Sequence, residues 1–228
     1  MGKLANFNIS DTFFSFAPSN TGVDIGTPLI KFSHRSLNSF DDKLLVAKDW
    51  LLEASNVLLE SSNNSLLTDK KKNLDEAVKL ANKAFLSDKP DLIAFPEMIS
   101  FYGGTDEDSK SSAEDIPSGE TTERLAGFAK KNGIFVHGGS FFEKAGNKTF
   151  NTSLAFNREG EIIAQYRKIH LFDAATPDGD SYRESDRVLP GDQVVTYQAD
   201  GMTVGCTICY DLRFSELYLE LAKKGVDI

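Results

Sequence analysis

Apolar and polar positions alternate along this chain at two periods, one helical and one extended, and the pattern is clearest from Asn73 onward. Leu74, Ala77, Val78, Ala81 and Phe85 fall on one helical face. Asn73 is placed to cap the first turn while Glu76 reaches back to it, and Pro90 ends the helix. Leu92-Ile93-Ala94-Phe95 then reads as a short apolar strand closing on Pro96-Glu97. The unit repeats: a helix over 121–131 turns Leu125, Phe128 and Ala129 inward, Asn132-Gly133 stops it, and a strand follows over 134–139. Two hairpins come next, 152–156 with 161–166 around a turn at 157–160, and 194–198 with 202–208 around Asp200-Gly201. A last helix over 215–224 ends at Gly225. Helix-strand units mixed with hairpins imply an α/β layered fold with a mixed sheet.

The two ends differ from this middle. Residues 1–40 show little periodicity, whereas 42–59 reads as a helix because leucines recur there at seven-residue intervals. Residues 61–72, polar and ending in three lysines, read as a loop with a solvated charge run, and the acidic, Ser-rich stretch 105–119 as a surface loop beside Glu97. Val226-Asp227-Ile228 repeats the strand entry seen after Gly133 without supplying the strand, so the chain reads as a fragment whose C-terminal part is missing.

With 228 residues, the chain is long enough for one sizeable core. Its formal charge of −9 argues against a phosphate-backbone partner and for a small molecule. No apolar run approaches the roughly 18 residues of a membrane span. The start lacks a secretory signal, and Asn6 stands where a myristoylation motif wants Ser or Thr, so a cytoplasmic protein is expected. Two cysteines three positions apart, Cys206 and Cys209, fit a reducing compartment.

Candidate chemistry gathers at strand ends. Cys209 precedes Tyr210-Asp211-Leu212-Arg213 and a helix, so its thiol would sit on a sharp strand-to-helix connection where free backbone N–H groups stabilise negative charge; the bland reading is a small buried hydrophobe. A zinc site would need two ligands beyond the C-x-x-C, with only the histidines His34, His137 and His170 and no second cysteine pair to supply them, and Cys206 lies inside the strand pattern, unlike a redox pair. Glu97 is either a general base at a sheet edge or an ordinary solvated strand-end glutamate. In Tyr166-Arg167-Lys168-Ile169-His170-Leu171-Phe172, alternation puts Lys168 and His170 on one face and Arg167 and Ile169 on the other. Lys168 can steady an oxyanion, and His170 remains a rival base for Cys209.

These stretches resemble the nitrilase superfamily of carbon-nitrogen hydrolases, in the branch that holds omega-amidase and the amidase of deaminated glutathione. Leu92 to Glu97 resembles the strand ending in the family's catalytic glutamate, Tyr166 to Phe172 its lysine motif, and Ile208-Cys209-Tyr210-Asp211-Leu212-Arg213-Phe214 its nucleophile motif. Gly138-Gly139-Ser140-Phe141-Phe142-Glu143 is similar to a segment carrying a second glutamate that helps position the lysine and substrate, with Phe142 where proline is common. Tyr182-Arg183-Glu184-Ser185 and Pro190-Gly191-Asp192 resemble the approach to the nucleophile strand.

The resemblance covers about residues 73–228, leaving 1–72 as an atypical, partly helical segment in which the family's opening strand is not recognisable. It implies a four-layer α-β-β-α sandwich, usually a homodimer, using neither metal nor organic cofactor. It further implies that Glu97 takes the thiol proton, Cys209 attacks an amide carbon, and Lys168 with the Tyr210 N–H holds the oxyanion, supported by Glu143. Expected substrates are small omega-amides of dicarboxylates, such as 2-oxoglutaramate, or a glutathione-derived amide. Hydrolysis of a nitrile or an N-carbamoyl compound, and a truncated non-catalytic relative acting through protein contacts, are the alternatives.

Overall fold

The computed structural model describes residues 44–45, 68–175 and 181–228. Eleven strands and four α-helices are assigned among these residues, and β5 (Lys148–Phe156) is the spine. On one side β5 pairs antiparallel with β4 (Phe141–Ala145) and, at its end, with β3 (Phe135–His137). On the other it pairs antiparallel with β6 (Ile162–Arg167) and parallel with β9 (Val188–Leu189). Beyond β3 the sheet continues in parallel through β2 (Leu92–Ala94) to β1 (Leu44–Leu45). The result is a mixed seven-stranded sheet. Two hairpins stand outside it, β7 (Asp173–Ala175) with β8 (Ser181–Arg183) and β10 (Thr196–Ala199) with β11 (Met202–Gly205).

The period of two along β5 decides what covers each face. Leu154 and Phe156 point toward α1 (Lys70–Asp88) and α3 (Glu120–Asn132), where they meet Ala77, Leu80, Leu125 and Phe128 in one buried cluster. Ala155 points the other way, into a second cluster with Tyr166, Tyr197, Val204 and Ile208. A bulge opposite Ala155 and Phe156 lets Ile162 join the first cluster while Ala164 joins the second. Outside the β10-β11 hairpin lies α4 (Ser215–Lys223), whose buried Leu221 abuts Gly205. Helices, seven-stranded sheet, hairpin and helix form the α-β-β-α order. Arg158, in the turn between β5 and β6, ties the layers by binding the Gly133 carbonyl and the carboxylates of Asp91 and Asp200.

Several expectations need correcting. The first helix starts earlier than Asn73: Asp69 is the cap, accepting from the Lys72 N–H at 3.1 Å, because the three lysines are good helix formers and an aspartate precedes them. Asn73 instead donates its side-chain amide to the Ser100 carbonyl at 3.0 Å. Lys70 is no solvated charge either, since it pairs with Glu114. Within the stretch 42–59 expected to be helical, Leu44–Leu45 is a strand that adds to the parallel edge of β2; the other residues of that stretch, like 1–40 and 61–67, lie outside those described. The surface loop 105–119 contains α2 (Asp106–Ser112) and the buried Glu114, whose carboxylate accepts from the Thr121 N–H at 2.9 Å and its hydroxyl at 2.7 Å. Glu114 thus caps α3 from a distance, where the N-cap residue Gly119 offers no side chain. At the other end, Asp227 donates its N–H to Thr203 and the Ile228 carbonyl accepts from Gly205, each at 2.8 Å.

His137 gives this core a pH dependence. Its ring lies between Ser153 Oγ and Tyr197 OH, each 3.2 Å away, and desolvation lowers its pKa from 6.5 to about 4. A base whose folded pKa is depressed binds fewer protons folded than unfolded, so its contribution is present above pH 6.5 and is lost as pH falls toward about 4. The full shift corresponds to roughly 3 kcal/mol, and solvent screening of the half-buried ring brings the expectation to about 1–2 kcal/mol. Urea unfolding at pH 7.5 and 5 reads it: the wild type should lose more stability on acidification than His137→Gln, and parallel losses would exclude the effect.

Candidate active site

The site lies at strand ends on the sheet face turned toward the β10-β11 hairpin. Glu97 follows β2 on a turn held from the neighbouring strand connection. Ser140 donates its N–H to the Pro96 carbonyl at 3.1 Å and accepts from Ile99 N–H at 2.9 Å, while its hydroxyl accepts from Met98 N–H at 3.2 Å. Gly139, at φ +61°, allows this approach, because a Cβ there would collide with the Pro96 carbonyl. Met98 itself is held at φ +56°, a strained conformation for a long side chain.

Lys168 stands just beyond β6, only 2% exposed. Its N–H donates to the Asn151 carbonyl at 2.9 Å, and its own carbonyl accepts from Gly191 at 2.8 Å. Its Nζ lies 3.4 Å from Glu97 Oε1 and 3.0 Å from Glu184 Oε2. Burial works against this ammonium, but the facing carboxylates of Glu97 and Glu184 outweigh it and hold its pKa above the ordinary lysine value. Glu184 is fixed in turn by the Phe172 N–H, 2.6 Å from Oε2.

Cys209 opens a 3₁₀ turn, Cys209–Arg213, at φ +47°, so a β-carbon-bearing residue occupies the left-handed region where strand gives way to helix. The turn rests on Asp211, which is fully buried and accepts from Tyr166 OH at 2.6 Å, Ile208 N–H at 2.9 Å and His170 N–H at 3.0 Å. Although the residue is open to solvent, its thiol faces protein: desolvation first, then the negative charge of Glu97, push it up to about 12 against the pull of Lys168. The thiol is therefore protonated at neutral pH and needs a base to become a nucleophile.

The structure thus brings Glu97, Lys168 and Cys209 into one charge-coupled group. It does not bring Glu143 there. Glu143 shares the opposite sheet face with Thr152 and Arg167, accepting from them at 2.7 and 2.8 Å, because strand alternation turns Arg167 and Lys168 to opposite sides. The carboxylate that meets Lys168 from a second side is Glu184. The rival base His170 is engaged with Asp211, its Nδ1 at 2.7 Å, and its ring stacks on Phe214 with centroids 3.7 Å apart. Cys206 is a core residue in the cluster beneath the hairpin. Tyr210 lies in the first turn after Cys209, its ring edge-on to Phe172 and Phe214. Among the described residues no cluster of His, Cys, Asp and Glu is arranged to hold a metal, and no helix is long and apolar enough to cross a membrane.

Sequence reasoning missed three groups: Glu184, Asn151 and Asp211. Two of them stand inside segments whose resemblance was visible, Tyr182-Arg183-Glu184-Ser185 and the nucleophile motif, but a carboxylate's partner across the sheet is not written in its own neighbourhood.

Residues 61–228 match the family model for carbon-nitrogen hydrolases. The omega-amidase NIT2 of Xenopus tropicalis is 38% identical over 159 residues, which cover 70% of this chain and 56% of that protein. Nitrilase homolog 2 of Dictyostelium discoideum is 33% identical over 215 residues, covering 93% of this chain and 63% of its own. The chain therefore spans somewhat more than half the length of these curated relatives. The crystal structure of Saccharomyces cerevisiae Nit3, a member of branch 10 of the nitrilase superfamily, superposes with a TM-score of 0.60 at 28% identity, over 69% of this chain and 56% of that one. With the family model matching well over half of its residues, the chain belongs to the carbon-nitrogen hydrolase family of the nitrilase superfamily.

Proposed function

We propose that this protein hydrolyses a small-molecule carboxamide to the carboxylate and ammonia through a thioester on Cys209. The observation that carries the reading is the buried Lys168 ammonium, 3.4 Å from Glu97 and 3.0 Å from Glu184, coupled to a thiol on a positive-φ turn. Such a group can move one proton and hold one negative charge.

Glu97 accepts the thiol proton as Cys209 Sγ bonds to the amide carbon. The carbonyl π electrons move to oxygen, where Lys168 Nζ and the Tyr210 N–H stabilise them; donors of this kind are worth roughly 3 kcal/mol each. Collapse breaks the C–N bond, and the proton held by Glu97 passes to nitrogen, releasing ammonia and leaving the thioester. Water then attacks, giving a proton to Glu97, and the C–S bond breaks as that proton returns to sulfur.

The relatives named omega-amidase favour an amide over a nitrile or N-carbamoyl substrate, and an omega-amide of a dicarboxylate, such as 2-oxoglutaramate, is the substrate to try first. Incubation with 2-oxoglutaramate and with succinamate should release ammonia from the wild type and none from Cys209→Ala. Release that survives the substitution would sink the thioester mechanism; no release from folded wild-type protein with any amide would leave a non-catalytic role for this chain.

A further inference from the structure

We propose that Asn151 is a positioning residue of the reaction, one that sets Glu97 and Lys168 against each other and keeps Glu97 competent as a base; the inference rests on the functional reading above. Asn151 is fully buried in the middle of β5, paired to Phe142 of β4. Its backbone carbonyl accepts from the Lys168 N–H at 2.9 Å, and its side-chain amide donates to Glu97 Oε1 at 2.8 Å. One residue on the most constrained strand therefore fixes the backbone of the cation and the carboxylate of the base. The same Glu97 oxygen lies 3.4 Å from Lys168 Nζ, so both donors engage Oε1 and the second carboxylate oxygen is left to receive the thiol proton.

Folding alone gives no reason for an amide here. Among the described residues Asn151 Oδ1 is buried without a hydrogen-bond partner, which ordinarily costs about 1–3 kcal/mol, so a leucine of similar volume would suit the core as well or better. The amide is explained by what its other end does. A donor on an ionised carboxylate favours the charged form, and held on a strand it also fixes the direction of the unbound oxygen. The titratable groups around Glu97 are Lys168 beyond β6, Glu184 behind that lysine and Cys209 on its turn; from β3, His137 is occupied by Ser153, two residues along β5 from Asn151.

The test is Asn151→Leu in the full chain, with two pH profiles: ammonia release, and alkylation of Cys209 by iodoacetamide, which needs no substrate and is corrected with Cys209→Ala. We expect unchanged or higher thermal stability, a kcat lower by about ten- to a hundredfold with KM within about threefold, and an acid limb moved to higher pH in both profiles. Asn151→Asp, which keeps the side chain's shape, should move the limb further, because a second carboxylate then faces Glu97; it decides the matter if the leucine variant does not fold. Glu97→Gln separates the two levels of argument. If it alters the alkylation profile and neither Asn151 variant does, Asn151 is a packing residue and this inference is overturned. If Glu97→Gln itself leaves that profile unchanged, Glu97 is not the base, and both readings fall together.

Discussion

Glu97→Gln is expected to lower kcat for amide hydrolysis about a thousandfold or more at pH 7, with the folded structure intact. The thiol of Cys209 is pushed up to about 12, so it is protonated at neutral pH, and attack depends on proton transfer to a neighbour as the C–S bond forms. Glutamine keeps the shape of that neighbour and can still accept from Asn151, but it cannot take the proton. The loss is partly offset, because removing the Glu97 charge removes one of the causes that raise the thiol, while Lys168 still favours thiolate. Residual activity should therefore climb with pH as hydroxide does the work of the base, and the acid limb of the wild-type profile should vanish. Rates of ammonia release between pH 6 and 10 check this. A variant that keeps a tenth of wild-type activity with an unchanged profile would show that another group removes the thiol proton.

Much of this site was legible because its chemistry sits next to strong local signals. Glu97 follows an apolar run and a proline, Lys168 and Cys209 follow strands of plain alternation, and the short motifs around them kept their order. The same is true of the helix-strand units, whose helical period and short apolar runs survive in α1, α3, β2 and β3. What was not legible depended on partners distant in sequence. The strand Phe141–Ala145 ends its apolar pattern in Glu143 and Lys144, and only pairing with β5 makes it a strand. Glu114 lies in an acidic, serine-rich stretch that reads as solvated, yet it is buried because Lys70 and the start of α3 supply its partners. The resemblance offered Glu143 as the second carboxylate, whereas the structure sets Glu184 against Lys168. Glu143 reaches the face opposite Lys168, and that follows from its pairing with Phe150 and the alternation of the sheet rather than from neighbouring residues.

Asp211→Ala is the substitution with the largest expected effect on stability, about 3–5 kcal/mol, and it should cost activity even where the protein remains folded. The carboxylate is fully buried. Its Oδ2 accepts from Tyr166 OH at 2.6 Å and Ile208 N–H at 2.9 Å, and its Oδ1 from His170 N–H at 3.0 Å and, at 2.7 Å, from His170 Nδ1. Alanine leaves all of these groups without their acceptor, two of them backbone N–H groups that cannot turn away. Asparagine discriminates between charge and geometry. Its oxygen can still serve His170, and the Tyr166 hydroxyl can rotate to accept from the new amide, but the Ile208 N–H then faces a second donor, so an intermediate loss of about 1–3 kcal/mol follows. Ile208 immediately precedes Cys209, whose φ of +47° must be held by its surroundings. Once the Ile208 anchor is weakened, the turn can relax and the thiol swings out of reach of Glu97 and Lys168. Urea unfolding gives the stabilities, and alkylation of Cys209 at a fixed pH, measured well below the unfolding transition, reads the turn. The expected order is wild type, Asp211→Asn, Asp211→Ala for both. If the asparagine variant is as unstable as the alanine one, the negative charge rather than the hydrogen-bond geometry anchors the turn. If alanine costs under about 1 kcal/mol, Asp211 anchors nothing.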